Sequence, residues 1–556
     1  MAIPSSPVHR LNDANPALNQ SGGTPHHDAY AIDPLLGHLT DQWGTGWAVA
    51  QLTDLGRVVG DPQTERLARD ANRHHPELVT FDPFGHRVDE VEFHPSYHDL
   101  MALAFGHGVH SLAWTGEGAN PHLARAMLSY LWNQAENGVG CPTAMTYGAP
   151  IPFRTVPDLW AQWRDKVLAA DYDPRPVPME DKAAVTIGMA MTEKQGGSDL
   201  RAIRTTATPT GPAGPGEWYV IDGHKWFTSV PMSDGFFTLA QTAEGPSCLF
   251  FPRWLPDGAV NGMRIQRLKD KVGNRSNASS EIELESCLGI LVGEPGRGIK
   301  TIIQQGHLTR MDFAVGSAGM MRAAVTHTAH HVSHRRAFDR TLVDLPMMRA
   351  VLADLEVEVE AATLLGLRVA LAYDLAEVDP VEELFGRVAT PLAKYWNCRR
   401  AIRVVAEALA CHGGNGFIEE GPMARLYREA PLNNIWEGTS NMMCLDVLRS
   451  FERLPETVDA LLHVLRQPAG HDAAFDAAVD DVEKTLRDTE DLEPRARWLA
   501  DRLATLLAGA LLIEQAPNDV ANLWLRTRVG SPTATLTGIA ANGPGVDTLV
   551  DRALIA

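Results

Sequence analysis

The segment Asn434-Ile435-Trp436-Glu437-Gly438-Thr439-Ser440-Asn441 sets one carboxylate between an aromatic ring and a glycine–hydroxyl helix opening. Such a carboxylate is a candidate general base. The indole beside it excludes water and raises its pKa, whereas a helix N-terminus lowers it, so proton abstraction near neutrality is open to Glu437. Gly438 lets another group approach the backbone, and Thr439 or Ser440 can cap a helix that Met442, Met443, Leu445 and Leu448 continue on an apolar face. Two further segments suit a ligand. Met191-Thr192-Glu193-Lys194-Gln195-Gly196-Gly197-Ser198-Asp199 combines paired glycines with hydroxyls and can wrap backbone donors around a planar or phosphorylated molecule. Lys225-Trp226-Phe227-Thr228-Ser229 carries an aromatic and a hydroxyl two residues apart, Trp226 and Thr228, on one side of an extended segment, a wall for a flat ring. Taken singly, each also has an ordinary structural reading: a capped helix start, a polar turn, a strand with one buried aromatic.

These residues must be positioned by elements of two kinds. From about Asp33 to Asp181 the spacing predicts helices, as in His122 to Ala135, where Leu123, Ala126, Met127, Tyr130 and Leu131 share a face. Between Val185 and Gly293 the period shortens. Trp218–Ile221, Phe236–Ala240, Ser247–Phe251 and Ser280–Leu284 read as strands, with Asp222-Gly223 a hairpin-turn signal. Long helical patterns return over Arg310–Arg336, Met347–Leu375 and Pro391–His412 and suggest an antiparallel bundle. Gln467–Asp472 looks like a linker, and Ala473–Gln515 forms an extra helical unit. The expected division is a disordered or extended tail over 1–32, a helical domain over 33–182, a central β domain over 183–295, a helical bundle over 296–450 and an additional helical domain over 451–556.

Composition narrows the function class. The chain has 556 residues, 45% of them apolar, and a formal net charge of -20, which argues against indiscriminate attraction to phosphate backbones. Its six cysteines are scattered without a C-x-x-C pair, which fits a reducing cytoplasm rather than a disulfide framework. Met1 to Thr24 is rich in Pro, Ser, Asn and Gly, lacks an apolar h-region and is expected to be disordered. The best apolar run, Leu503 to Ile513, is too short and too interrupted to span a bilayer. His330 and His334 have metal-ligand spacing, but no carboxylate or cysteine completes the set, so a solvated helix face and no metal are expected. Cys444 has no cation beside it in sequence and reads as buried packing.

In this order and around this α–β–α layout, the motifs resemble the acyl-CoA dehydrogenase family of flavoproteins over almost the whole chain. The resemblance implies a multidomain α+β fold: an N-terminal helical domain, a central β-barrel or sandwich, a C-terminal four-helix bundle and an extra helical domain. It implies FAD, with the isoalloxazine held by Met191, Thr192, Gly197 and Ser198 and by Trp226 and Thr228. It also implies FAD contacts from Thr439 and Asn441, and, toward a neighbouring subunit's FAD, from Gly413, Gly414 and Asn415 of Cys411-His412-Gly413-Gly414-Asn415-Gly416-Phe417 and from Arg335 and Phe338 of an R-x-x-F pair. Lys271-Val272-Gly273-Asn274-Arg275-Ser276-Asn277-Ala278-Ser279, Phe93-His94-Pro95-Ser96-Tyr97-His98 and Met442–Arg449 are similar to signatures of the AidB-type branch, named from an adaptive response to DNA alkylation.

The implied chemistry is removal of an acyl-CoA α-proton by Glu437 with β-hydride transfer to flavin N5, on a short or branched, isovaleryl-like substrate. Family members that use another base take it from the position before an arginine, here Thr309 before Arg310, and threonine cannot serve. A homotetramer and an electron-transfer acceptor or oxygen are the implied partners. The alternatives are a DNA-associated flavoprotein of the alkylation response and a flavin oxidase or monooxygenase on the same fold. Residues 451–556 hold ten Lys or Arg against seventeen Asp or Glu, a net charge of −7, and this disfavours DNA.

Overall fold

A computed structural model describes residues 19–487, 492–530 and 545–554. The N-terminal unit is helical from Pro34 to Val167, and many of its helices open on proline, whose fixed φ and missing N–H suit a first turn. Asp33 caps Pro34–Gln42 by accepting the Leu36 N–H, and Asp61 caps Pro62–Arg73 through the Gln63 N–H. The helical spacing gives no sign of the antiparallel hairpin of β1 (Glu77–Phe81) and β2 (Arg87–Glu92) that interrupts this unit. Residues 1–18 of the expected tail lie outside the described residues. Residues 19–24 are irregular but docked: the Ser21 and Thr24 hydroxyls meet His331 Nδ1 at 3.0 Å and His327 Nδ1 at 2.8 Å. Beneath them His330 and His331 are 9% and 4% exposed, so this histidine face is covered by the chain's own N-terminal segment and not solvated.

The β unit comprises β3 (Ile187–Ala190), β4 (Thr206–Pro209), β5 (Trp218–Ser229), β6 (Gly235–Thr242), β7 (Gly245–Pro252), β8 (Met263–Leu268) and β9 (Ser279–Val292). Its strand order is β3-β6-β4-β5-β9-β7, with β8 on β9, and pairing of β6 with β7 closes the sheet into a barrel. Along β6, Phe236 packs into the cluster that holds Ile265 and Ile282, while Phe237 joins Phe153 and Trp163 of the N-terminal helices. That two-sided burial explains the continuous apolar run. The Asp222-Gly223 pair is not a hairpin turn. The ladder to β9 shifts register between Ile221 and Gly223, and β5 runs on through a bulge.

Beyond the barrel run the helices Gly298–His334, Pro346–Leu375 and Pro380–Cys411, followed by Ser440–Arg453. The third starts earlier than expected, at a proline capped by Asp379, and continues through Pro391, where the Thr390 hydroxyl donates to the Gly386 carbonyl at 2.7 Å. The C-terminal unit adds helices Glu456–Arg466, Ala473–Arg487, Leu492–Gln515, Asn518–Trp524 and Val546–Ala553. One apolar core runs without interruption from Leu36 through Leu365 and Val405 to Leu507 and Leu549, so the C-terminal unit is packed onto the bundle rather than tethered to it.

Candidate active site

Where the barrel meets the bundle lies an open cleft of about 1890 Å³, with Glu437 among its lining residues. Glu437 follows the short turn Leu432–Asn434 and precedes the Ser440–Arg453 helix, and its backbone is left-handed, φ +53°. A glutamate holds that conformation only where its surroundings fix it. Two cations do so. Lys394 Nζ donates to the carbonyls of Trp436 at 2.8 Å and Gly438 at 2.5 Å, and Arg310 Nε donates to the Glu437 carbonyl at 3.1 Å. Trp436 stacks on Phe313 at 4.6 Å and 20°, and its indole N–H donates to Asn433 Oδ1 at 3.0 Å. Thr439 is the N-cap residue without a side-chain cap; the Ser440 hydroxyl donates instead to Asn434 Oδ1 at 2.6 Å.

Burial raises the pKa of the Glu437 carboxyl, opposed by the charges of Arg310 and Lys394 and by a hydrogen bond from Thr309. Burial likewise pulls Lys394 down to about 8. Asp446 accepts from Arg310 at 3.0 Å and from Arg387 at 2.8 Å and fixes the arginine that reaches the Glu437 carbonyl.

The facing wall comes from the barrel. Met191, Thr192, Gly197 and Ser198 all line the cleft. Their turn is tied down from within: Glu193, fully buried, accepts from the Arg204 N–H, the Thr205 hydroxyl and Lys225 Nζ, the last at 2.8 Å, and the Trp226 N–H donates to the Thr192 carbonyl at 2.7 Å. A Cβ on Gly197 would stand 2.4 Å from Thr192 Oγ1, so only glycine lets the turn fold onto that threonine.

Trp226 and Thr228 are not in this wall. The residues of β5 that line it are Phe227 and Ser229. Trp226 and Phe227 stand together opposite Glu281 in a bulge, since Lys225 pairs with Ile282 and Thr228 with Ser280. Trp226 carries Lys269 Nζ over its ring at 3.4 Å, and Thr228 is fully buried, its Oγ1 without a partner. The aromatic–hydroxyl pair is therefore displaced by one residue. Behind Ser229 its hydroxyl meets Ser279 Oγ at 3.2 Å, and Lys271 Nζ reaches Ser279 Oγ at 3.1 Å and the Asn277 carbonyl at 2.5 Å.

Thr439 lines the cleft, whereas Asn441 is exposed on the first turn of its helix and does not. Arg335, Phe338, Gly413, Gly414 and Asn415 lie elsewhere. Arg335 donates to the Asn19 carbonyl, Asn415 to Gln20 Oε1 at 3.1 Å, and Phe338 is 88% exposed. Arg310 lies within the Gly298–His334 helix and Arg335 is its C-cap, and 25 residues at about 1.5 Å each separate them by roughly 37 Å. Phe313 and Lys394 carry no local sequence signal, Arg310 stands out only as the residue after Thr309, and Lys271 and Ser279 only as the ends of a branch-signature segment. They come from separate elements, and only the fold brings them together.

Residues 19–174 match the family model of the adaptive response protein AidB N-terminal domain, 188–287 the acyl-CoA dehydrogenase middle domain and 296–451 its C-terminal domain. The chain belongs to the acyl-CoA dehydrogenase family, in its AidB-type branch. It is 40% identical over 509 residues to the putative acyl-CoA dehydrogenase AidB of Escherichia coli, covering 91% of this chain and 93% of that one. It is also similar to acyl-CoA dehydrogenase family member 11 of Caenorhabditis elegans, 28% identical over 91% of this chain and 87% of that one. A crystal structure of Caenorhabditis elegans ACDH-11 in complex with C11-CoA superposes with a TM-score of 0.82 at 25% identity, covering 99% of this chain and 95% of that one.

As an FAD-dependent acyl-CoA dehydrogenase, this AidB-type chain must accommodate a flat, acceptor-rich ring system. The barrel wall fits it: the hydroxyls of Thr192, Ser198, Ser229 and Ser279, the Lys271 ammonium and the Phe227 ring all line the cleft with Glu437. No group of three His, Cys, Asp or Glu side chains able to hold a metal occurs among the described residues.

Proposed function

We propose that this cleft dehydrogenates a short or branched, isovaleryl-like acyl-CoA across Cα–Cβ, with Glu437 as the acceptor of the α-proton. The observation that carries the reading is the Glu437 carboxyl in the cleft lining, its backbone held by Lys394 and Arg310 and its pKa raised by burial. FAD supplies the hydride acceptor, flavin N5, when bound. Phe227 and Ser229, with Met191, Thr192, Gly197 and Ser198, hold the ring, and Thr439 lies on the same cleft. The stacked Trp436–Phe313 pair excludes water beside the carboxylate. Trp114, Met145 and Tyr373 belong to the same lining, and bulky side chains beside the acyl group favour short or branched chains over long ones.

Replacing Glu437 with glutamine should leave FAD bound yet abolish anaerobic bleaching of the flavin by acyl-CoA. Bleaching by that variant at the native rate removes Glu437 from the mechanism. A series of acyl-CoAs should bleach fastest with short or branched chains; fastest bleaching by a long straight chain would overturn the substrate assignment. Arg335, Phe338, Gly413, Gly414 and Asn415 act on this reading toward the FAD of a neighbouring subunit of a homotetramer, and Asn441, with Thr439, contacts FAD beside the base. The six cysteines are all free thiols, which supports a cytoplasmic setting, and among the described residues no helix is long and apolar enough to cross a membrane.

A further inference from the structure

A second cavity of about 370 Å³ shares no lining residue with the cleft. It lies where β2 and the Pro95–Gly106 helix meet residues 172–176 and the barrel, and it is built on Phe93-His94-Pro95-Ser96-Tyr97-His98, a segment for which dehydrogenation has no use. Four rings form a corner in its wall. Phe93 stacks on Tyr97 with centroids 4.1 Å apart, and His98 stacks on Tyr172 at 5.9 Å. The planes of Phe93 and Tyr97 stand at 75° and 76° to that of His98, so the two ring pairs meet nearly at right angles. His98 Nδ1 lies 2.9 Å from the Tyr172 hydroxyl, and burial lowers the His98 pKa, which keeps the imidazole neutral.

Within the lining, the charge left unpaired is negative. Asp173 is neutralised by Arg175 at 2.6 Å and Lys182 by Asp234 at 2.6 Å. Glu90 and Glu92, the remaining charged residues of the lining, are exposed on β2 and make no salt bridge among the described residues, although the buried Arg253 behind β2 attracts Glu90 at longer range. Tyr97, 2% exposed, also lines the cavity, and its buried phenolic oxygen has no hydrogen-bond partner. Buried hydroxyls are nearly always satisfied, so this one is open to an ordered water or to the hydroxyl of a guest. Ring faces carry the negative part of the aromatic quadrupole and attract cations, most strongly where neutral rings enclose the charge. An anion would be repelled by the two carboxylates, and the rings offer no oxygen cage for a hard metal ion.

We infer that the Phe93–Tyr97–His98–Tyr172 corner, with Glu90 and Glu92 at its edge, binds a small organic cation of the alkylammonium class, a quaternary ammonium fitting it best. The volume lies within the range of small-ligand sites.

The test titrates the holoenzyme with choline and with its neutral carbon isostere, 3,3-dimethylbutan-1-ol, by calorimetry and thermal shift. Choline should bind once per chain and raise Tm, with the isostere at least about tenfold weaker. Replacing Glu90 and Glu92 together by glutamine, on exposed side chains that the fold does not need, should weaken choline binding about fivefold without changing Tm. Tyr172→Leu should weaken it further, while acyl-CoA-dependent flavin bleaching stays native in both variants. The inference is overturned if millimolar choline gives no saturable heat, if the isostere binds equally well, or if the double glutamine variant binds choline with native affinity. Because bleaching is read separately, loss of the dehydrogenase reading leaves this result standing.

Discussion

Burial and charge pull on the Glu437 carboxyl in opposite directions, and the pH dependence of turnover reports the balance. Desolvation is the larger effect, so the folded pKa lies above the usual carboxylate value. A base must be ionised to act; kcat/KM for acyl-CoA-dependent flavin reduction should therefore rise with pH and level off at an inflection above the ordinary carboxylate range. Removing one opposing cation by Lys394→Met should move that inflection to higher pH, and an inflection that moves down would show that Lys394 does not act on this carboxyl. The same scale separates the two candidate rings of β5. Phe227 lines the cleft and Trp226 lies under Lys269, so Phe227→Ala should lower FAD retention several-fold while Trp226→Ala leaves it near native, read by flavin absorbance after gel filtration. Sequence alternation correctly pairs residues two apart but is silent on which pair faces the ligand, because a one-residue slip exchanges the faces of a strand. The lone acid of the Trp436-Glu437-Gly438 segment was legible in a way that the paired wall was not.

Elements were legible where one period persists over many residues, as in Pro346–Leu375, and illegible where a local signal has two meanings. Asp222-Gly223 is a turn signal by type and a bulge in fact; Pro391 is a helix-start signal by type and an interior residue in fact. Nor does the 3.6-residue period betray what Pro346–Leu375 does with its acids. Glu356, Glu358 and Glu360 are all buried and each meets an arginine: Arg322 at 2.6 Å, Arg400 and Arg528 at 2.5 and 2.8 Å, and Arg552, respectively. Glu360 is the weak member, since its Oε2 has no partner and burial raises its pKa from 4.5 to about 7 against the pull of Arg552. A carboxyl with a raised folded pKa binds more protons folded than unfolded, so its stabilising effect is complete below 4.5 and is lost as pH rises through about 7. Glu360→Gln should accordingly gain stability relative to the native chain as pH rises through that window, by about 1–3 kcal/mol in denaturant unfolding. A difference that stays flat with pH, or runs the other way, would assign the raised affinity for protons to another group.

At the scale of the whole molecule the acidic helix becomes the seam between the bundle and the C-terminal unit. Arg528 is 2% exposed and reaches both Asp354 and Glu358, and Arg552 reaches Glu360, so these C-terminal cations face inward as clamps and are withheld from any external phosphate. The continuous core makes the seam rigid, and that rigidity bears on where the remaining FAD-directed residues stand. Arg335 and Asn415 are held by the adjacent docked residues Asn19 and Gln20; Arg335 stands about 37 Å along its helix from Arg310, and neither residue lines its own cleft. On the proposed reading they serve a neighbour, and one chain can then be rescued by another. An Arg335→Ala chain keeps an intact cleft and a Glu437→Gln chain keeps an intact Arg335. Each alone should be inactive or retain FAD poorly, yet co-expressed and purified as mixed oligomers they should recover a minority of native bleaching, at sites where a native cleft faces a native arginine. Equal mixing of dimer-related chains leaves about one site in four so composed, if FAD contacts cross a single two-fold interface. Native FAD retention by Arg335→Ala alone, or a monomer in solution that keeps its flavin, would return the whole site to a single chain.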